Sequence, residues 1–160
     1  MTILGIDPGT ARCGWGVIKT KNSNNWEVIN YGCIETHKSL SMPERLEIIS
    51  QEINKVIAKY KPEKVAIEKL FFGINVKTAL EVGQARGAIL VACQQVGLAI
   101  FEYTPLQIKM ALTGYGRADK NQIQCMVKML LKLDKIPKPD DAADGLAVAL
   151  TCGFQNRIMR

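Results

Sequence analysis

The stretch Ile3-Leu4-Gly5-Ile6-Asp7-Pro8-Gly9 is a short apolar run that ends in a turn sequence. A run of this length, closed by Pro-Gly, is typical of a buried β-strand. Segments 14–19 and 27–35 are rich in Val, Ile, Trp and Tyr, and the polar run 21–25 between them supplies asparagines for a hairpin turn. The chain is therefore predicted to begin with three antiparallel strands, with Asp7 at the end of the central strand of the sheet.

Helices and strands alternate in the remainder of the chain. Ser41 and Glu44 form a capping-box pattern before apolar residues at helical spacing, and this helix should end near Lys61-Pro62 because a residue before proline avoids the helical region. The other predicted elements are strands at 65–68 and 98–103 and helices at 76–95, at 105–112, after Asp119, and from Asp140 or its neighbour to about Gly153. This order predicts an α/β fold with a five-stranded mixed sheet, three antiparallel strands followed by two parallel ones, and helices on both faces.

Length and composition indicate one globular domain spanning 1–160. The 160 residues are 48% apolar and 22% charged, which is typical of a folded chain. The longest strongly apolar stretch, 88–93, is far shorter than the roughly 20 residues of a membrane helix, and Asp7 interrupts the first apolar segment, so we expect neither a membrane span nor a signal peptide. Five widely spaced cysteines without a CxxC pair indicate free thiols. We therefore expect a cytoplasmic protein.

The charge of the chain is positive overall and unevenly distributed. Lys and Arg number 21 against 15 Asp and Glu, a formal net charge of +6 that permits a polyanionic partner. Segment 105–138 contains seven basic and two acidic residues, so most of the excess lies there. His37 is the single histidine in the sequence. This disfavours a zinc site and removes histidine-based triads, so that any catalysis must use carboxylates, lysines or a thiol.

Acidic residues stand at three places where the predicted fold ends a strand or begins a helix. Asp7 ends the first strand, Glu68 ends the fourth, and the last helix opens with Asp140, Asp141 and Asp144. Each has an ordinary structural explanation: a turn cap for Asp7, a surface ion pair for Glu68, and the helix dipole for the aspartates. The dipole explains Asp144 least well, because a small apolar helix follows it and no Lys or Arg lies within the next turn.

Considered together, these acids predict a metal-dependent nuclease. Three or four carboxylates in one cavity repel each other unless cations bind between them. A set of hard oxygen ligands without His or Cys selects Mg²⁺ or Mn²⁺, and two such ions about 4 Å apart stabilise both the attacking water and the leaving oxygen of a phosphodiester. The basic segment 105–138 would then hold the nucleic acid backbone.

Four segments of the sequence together resemble the RuvC family of bacterial Holliday junction resolvases, over about residues 3–152. They are Gly5-Ile6-Asp7-Pro8-Gly9-Thr10, Ala66-Ile67-Glu68, Gly83-Gln84-Ala85-Arg86-Gly87 and Asp141-Ala142-Ala143-Asp144-Gly145-Leu146-Ala147. The resemblance implies a ribonuclease H-like fold and a homodimer that binds four-way junction DNA. It also implies a magnesium-dependent endodeoxyribonuclease that makes two symmetric nicks in DNA recombination and repair, in cooperation with the RuvA–RuvB branch-migration complex.

The resemblance also implies roles for particular residues. Asp7, Glu68, Asp141 and Asp144 match the four catalytic acids of the family, which bind two Mg²⁺ ions per active site, and Mn²⁺ is a plausible substitute. Helical spacing alone leaves Asp140 as an alternative ligand, but the register of the motif favours Asp141, with Asp140 as the N-cap of the helix. Lys109 and Lys120 match functional lysines near the scissile phosphate. Phe71 matches an aromatic residue that stacks on a base near the crossover, Phe72 is expected in the core, and Asn75 stays open.

Two other function classes compete with a resolvase. The first is an actin-like phosphotransferase with Asp7-Pro8-Gly9-Thr10 as its phosphate loop, but its two lobes need more than about twice this length, and a second phosphate loop is missing. The second is a non-catalytic junction-binding module, which would gain nothing from carboxylates that repel phosphate.

For the dimer, the helix at 79–96 is a candidate surface because its small residues permit close approach of a second helix. Those residues are Ala79, Ala85, Gly87, Ala88 and Ala92. An ordinary buried helix is an equal alternative.

Overall fold

The computed structural model describes residues 1–22, 25–69 and 76–158. The strands are β1 (Thr2–Asp7), β2 (Arg12–Asn22), β3 (Asn25–Glu35), β4 (Lys64–Glu68) and β5 (Ala99–Tyr103). The helices are α1 (Met42–Tyr60), α2 (Val76–Gln95), α3 (Pro105–Thr113), α4 (Lys120–Leu130) and α5 (Asp140–Ile158). The predicted order of strands and helices is therefore confirmed.

The five strands form one mixed sheet in the order β3-β2-β1-β4-β5. The pairs β1–β2 and β2–β3 are antiparallel, whereas β1–β4 and β4–β5 are parallel. This arrangement confirms the predicted sheet and places β1 at its centre. As expected, Asp7 is the last residue of the central strand.

Helices cover both faces of the sheet and enclose two separate apolar clusters. On one face, Ile49 and Ile53 of α1 and Ile89 of α2 pack with residues of β1 and β4. On the other face, residues of α3, α4 and α5 pack with further strand residues, and Leu146 and Leu150 of α5 are fully buried. None of the helices in the described part of the chain is long and apolar enough to cross a bilayer.

Several element boundaries follow the local signals in the sequence. The capping box of Ser41 and Glu44 is present at the start of α1, and Lys61 ends that helix in the left-handed conformation at φ 44°. Asp119 caps α4, where its side chain accepts a hydrogen bond from the backbone N–H of Gln122 at 2.8 Å. These caps satisfy backbone groups at helix ends that have no partner within the helix.

The prediction that the last helix ends near Gly153 was wrong, because α5 continues to Ile158. A Cβ at Gly153 would lie 2.6 Å from ring atoms of Trp26, so the glycine makes room for the indole. The same helix begins in close contact with the sheet. Gly5 and Gly14 have no room for a Cβ, because backbone atoms of α5 occupy that space. These close approaches bring the acidic start of α5 to the ends of β1 and β2.

Candidate active site

The carboxyl ends of two neighbouring parallel strands bring Asp7 and Glu68 together. Ile6 and Ile67 are partners in the β1–β4 register, and each is followed by one of the two acids. Asp144 joins them from the second turn of α5. The three carboxylates line a cavity of about 320 Å³. Its other lining residues are Pro105, Ile108, Lys109, Lys120, Ile123 and Ala147.

Burial and mutual repulsion make this cavity unfavourable for several negative charges. Burial raises the pKa of Asp7 well above its ordinary value, and the charges of Glu68, Asp144 and Asp141 raise it further. Burial also raises the pKa of Glu68 to about 7, with a further contribution from Asp144. The side chains of Asp7 and Glu68 also interact directly, and this interaction raises the pKa of Asp7 and lowers that of Glu68. Without a bound cation, the raised pKa values favour a proton shared by this pair.

Asp144 has a cationic partner from another helix. The Nζ atom of Lys120 lies 3.1 Å from Oδ2 of Asp144. Burial raises the pKa of Asp144, and the hydrogen bond from Lys120 opposes that rise. The sequence predicted that Asp144 needs a partner, and Lys120 of α4 provides it from 24 residues away. Because Lys120 is the first residue of α4, this ion pair places a cation where the helix dipole disfavours one.

Asp141 lies beside the cavity and pairs with Arg12, whereas Asp144 pairs with Lys120. The Oδ2 atom of Asp141 is 3.0 Å from Nε of Arg12, whose Nη2 atom is 3.4 Å from Oε1 of Glu35. Asp141 does not line the cavity, but its charge contributes to the raised pKa values of Asp7 and Asp144. The structure therefore brings three of the four predicted acids into one cavity and leaves the fourth at its margin, held by Arg12.

Asp140 does not line the cavity and pairs with a lysine that precedes α5. It is the first helical residue of α5 and follows Pro139, so the prediction that it is the N-cap residue differs from the structure by one position. The Nζ atom of Lys138 lies 2.6 Å from Oδ1 of Asp140. This hydrogen bond lowers the pKa of Asp140. The carboxylate thus stays charged and is paired outside the cavity.

The two lysines expected from the resemblance both line the cavity. Lys109 comes from α3, and its charge lowers the pKa of Glu68. Lys120 comes from the start of α4 and pairs with Asp144. Sequence reasoning did not find Arg12, because nothing near it in the chain suggests a link to Asp141, 129 positions further on. The positions of Phe71, Phe72 and Asn75 lie outside the described residues.

The donor chemistry of the site fits a hard divalent cation. The cavity contributes carboxylate oxygens and no sulfur or imidazole, the ligand set that Mg²⁺ and Mn²⁺ prefer. Within the described ranges, no three His, Cys, Asp or Glu side chains are arranged so that they could hold a metal ion as they stand. Asp141 pairs with Arg12 and Asp144 with Lys120, so both carboxylates contact protein cations in this structure. A metal ion bound by these carboxylates would compete with those cations.

Comparison with known proteins gives one consistent family. The family model described as "Crossover junction endodeoxyribonuclease RuvC" matches residues 3–152. A protein of that name from Caldicellulosiruptor saccharolyticus is 56% identical over 150 residues, which cover 94% of this chain and 90% of the relative. Another of that name, from Halothermothrix orenii, is 54% identical over 160 residues, covering 100% of this chain and 96% of the relative.

Solved structures with the same architecture agree with this result. The structure described as "T. thermophilus RuvC in complex with Holliday junction substrate" superposes with a TM-score of 0.94 at 36% identity, covering 99% of this chain and 96% of the other. The yeast mitochondrial Holliday junction resolvase Ydc2 superposes with a TM-score of 0.69 at 14% identity over 98% of this chain and 81% of the other, a likeness of fold alone. The architecture of the chain is that of the RuvC structures, a ribonuclease H-like fold, as predicted.

Proposed function

This chain belongs to the RuvC family of crossover junction endodeoxyribonucleases, and from that premise we propose how it resolves Holliday junctions. Each subunit of a homodimer cuts one strand in a cavity that holds two Mg²⁺ ions, and the two cuts are symmetric across the branch point. The observation that carries this mechanism is the meeting of Asp7, Glu68 and Asp144 with two lysines in one cavity. The family requires a divalent metal. The choice of Mg²⁺, with Mn²⁺ as a substitute, and the number of ions are parts of the proposal.

Four carboxylates would hold the ions: Asp7, Glu68, Asp144 and, after release from Arg12, Asp141. Bound divalent ions would supply the positive charge that activates a water and stabilises the leaving oxygen of a phosphodiester. The protein's own contribution begins with the strand ends, because β1 and β4 fix Asp7 and Glu68 side by side. Their raised pKa values favour exchange of the shared proton for a cation.

The two lysines would act on the phosphate. An ammonium group beside a phosphate offsets negative charge that develops in the transition state. Lys109 lies on the cavity wall and has no ion pair within 4.0 Å among the described residues, so it can contact a phosphate without first losing an ion pair. Lys120 would lose its ion pair with Asp144 once that carboxylate is a metal ligand, and its ammonium group could then contact the phosphate. Phe71 remains a prediction as a base-stacking residue, since the structure does not describe it.

The outer face of α2 supports the proposed homodimer. Leu80 and Val91 are 66% and 57% exposed, and apart from adjacent residues and the backbone of α2 itself, no atom of the described residues lies within 4 Å of a Cβ placed on Gly87. With Gln84, these residues follow the i, i+4, i+7, i+11 spacing of one helix face. Ala85 and Ala92, which were included in the predicted dimer surface, are buried in the chain's own core. A two-fold dimer matches the two equivalent strands of a junction.

The proposal also includes cooperation with the RuvA–RuvB branch-migration complex. Membership of the family is the only observation that supports this part. It can be tested by measuring whether RuvA and RuvB together change the rate or the position of junction cleavage by this protein. A mobile junction is the informative substrate, because branch migration delivers new sequences to the active site. Unchanged rates and positions would contradict the cooperation.

The mechanism is tested on an immobile synthetic four-way junction. The purified protein is incubated with the junction with and without Mg²⁺, and both nick positions are mapped on each labelled strand. We expect metal-dependent nicks at symmetry-related positions in two opposing strands. A linear duplex of the same sequence is the substrate control and should remain uncut. Nicks without metal, or unpaired nicks on a single strand, would contradict the proposal.

A further inference from the structure

An exposed apolar surface adjoins the wall of the acidic cavity. Leu106, Met110 and Tyr115 are 59%, 49% and 55% exposed, and Gly116 lies against the first two. We call these four residues the α3 patch. Large apolar side chains that cluster on a surface usually mark a site of interaction, whereas single ones do not. The patch is therefore a candidate contact surface for something larger than a metal ion.

The loop that carries Tyr115 has a defined backbone. Gly114 caps α3 in the left-handed conformation, and its N–H donates to the carbonyl oxygen of Met110 at 2.9 Å. The Tyr115 N–H donates to Oγ1 of Thr113 at 3.0 Å, and the Tyr115 carbonyl accepts from the N–H of Ala118 at 3.2 Å. A fixed backbone presents the tyrosine ring to solvent in one region of space. Binding to such a ring costs little backbone entropy.

The α3 patch lies next to the cavity on the same helix. Pro105 and Lys109 line the cavity, and Leu106 and Met110 each follow one of them by one residue. One residue corresponds to a rotation of about 100° around the helix axis. The patch thus begins where the cavity wall turns outward to solvent. A polymer with one phosphate in the cavity must extend across neighbouring surface of this kind.

The charges around the patch favour a polyanion over a free apolar ligand, and the exposed aromatic ring beside them favours nucleic acid over an acidic protein. Lys109 and Lys120 line the cavity, and the exposed Arg117 follows the patch in the loop. The loop contains no acidic residue before Asp119, whose carboxylate caps α4. Aromatic side chains beside cationic ones are the usual surface for unpaired or end-stacked bases, since every base has an aromatic face.

We infer that the α3 patch, with Tyr115 as its aromatic member, is a stacking surface for a DNA base that flanks the scissile phosphate. The inference rests on the proposed function, because it takes the cavity as the position of that phosphate. Leu106 and Met110 form the apolar base of the surface and Tyr115 the ring that contacts the base. The patch thereby contributes to how tightly the branch point is held next to the carboxylates.

The test uses junctions that carry 2-aminopurine at each of the two positions on either side of the mapped nick. Stacking on an aromatic ring quenches 2-aminopurine fluorescence. Binding is measured in the Glu68→Gln background so that the strand stays intact. We expect Tyr115→Ala to weaken junction binding about tenfold and to remove a quench seen with the parent at one of these positions. Tyr115→Phe should retain both the affinity and the quench.

Met129→Ala is the matched control, because Met129 is 62% exposed on α4 and lies outside the α3 patch. It should change neither affinity nor fluorescence. Thermal unfolding of Tyr115→Ala should match that of the parent, since an exposed ring contributes little to folding. If the wild-type protein cuts the junction but Tyr115→Ala keeps full affinity or the full quench, the inference is overturned and the proposed function stands. If the wild-type protein cuts no junction, the proposed function itself fails.

Discussion

The guanidinium of Arg12 holds the carboxylate of Asp141 at the margin of the acidic cavity, with Nε 3.0 Å from Oδ2. Asp141 stands one turn before Asp144 on α5, yet only Asp144 lines the cavity. Arg12 also reaches Glu35 of β3, so it ties the start of α5 to the edge strand of the sheet. A bound metal ion would therefore compete with the Arg12 guanidinium for the Asp141 carboxylate.

Removing Arg12 should make metal binding easier. Arg12→Ala frees Asp141 and removes a positive charge that repels divalent ions, so we expect the half-saturating Mg²⁺ concentration to fall about twofold to fivefold. A larger effect is not expected, because Arg12 is half-exposed and its field is screened. Cleavage rates over a Mg²⁺ titration measure this, with Arg12→Lys as the charge-preserving control. An increased Mg²⁺ requirement in Arg12→Ala would show that the ion pair orients Asp141 for the metal instead.

The stability of the metal-free protein should fall as the pH rises from about 4.5 to about 7. The pKa of Glu68 is raised from 4.5 to about 7, so the folded state binds a proton that the unfolded state releases. The contribution of Glu68 is fully present below pH 4.5 and is lost as the pH passes its folded pKa. Melting temperatures in EDTA across this range measure the effect.

Mg²⁺ should reverse this dependence, because a bound cation replaces the proton between the carboxylates. The increase in melting temperature on adding Mg²⁺ should therefore be larger at pH 8 than at pH 5. Glu68→Gln carries no titrating group at this position and should show a flatter profile in EDTA. If Glu68→Gln and the wild-type protein have identical profiles, Glu68 does not carry the shared proton.

Substitution should distinguish the four proposed metal ligands from Asp140, which precedes Asp141 in the sequence. Asp7→Asn, Glu68→Gln, Asp141→Asn and Asp144→Asn should each lower the cleavage rate about 100-fold or more, since each withdraws a ligand from the charge-stabilising ions. Junction binding should persist, because fewer negative charges face the DNA. Asp140→Asn is the matched control and should retain most activity, as Asp140 pairs with Lys138 outside the cavity. Loss of cleavage in Asp140→Asn would reassign the ligand.

Lys120 should affect the chemical step more than DNA affinity. Lys120→Ala removes the cation that lines the cavity beside Asp144, and we expect a fall in the single-turnover rate of about tenfold or more. Lys128→Ala removes a charge from the last turn of the same helix and should leave the rate nearly unchanged. Single-turnover cleavage at saturating protein separates rate from binding. Equal rate losses in both variants would indicate a general electrostatic effect.

The outer face of α2 should control the oligomeric state. Leu80→Glu or Val91→Glu places a charge on the proposed dimer surface, and we expect monomers by sedimentation and loss of paired nicking. Ile29→Glu is the matched control, because Ile29 is an exposed apolar residue on β3, away from α2. It should remain a dimer. A dimer that survives both α2 substitutions would place the interface elsewhere.

Most of the fold was predictable because its signals are local. The hairpin, the capping box of α1, the Asp119 cap and the apolar strands each depend on residues that are close in sequence, and their boundaries were confirmed within a few residues. The end of α5 was not predictable in this way. Gly153 has the character of a helix terminator, but its role depends on Trp26 from a distant strand. Likewise, whether Ala85 and Ala92 face the core or solvent depends on how α2 is rotated against the sheet.

The sequence predicted the acidic residues of the site well, but it predicted the cations that pair with them less well. Strand ends and a helix start identified where Asp7, Glu68 and Asp144 would meet, because parallel neighbours end at the same edge of a sheet. The partner of Asp144 was sought within the same helix, whereas Lys120 comes from α4. Arg12 gave no signal at all, since an arginine at the start of a strand is ordinary until α5 is placed beside it.

The close packing of α5 on Gly5 and Gly14 bears on how such an enzyme could be altered. Any side chain at these positions would push the helix off the sheet and carry Asp141 and Asp144 with it. Main-chain contact therefore fixes the spacing of the acids, and small substitutions at Gly5 or Gly14 cannot change that spacing gradually. Adaptation to new substrates, whether natural or engineered, would then fall to the exposed residues of α3, α4 and the loop that joins them, such as Leu106, Met110 and Tyr115, which do not line the cavity.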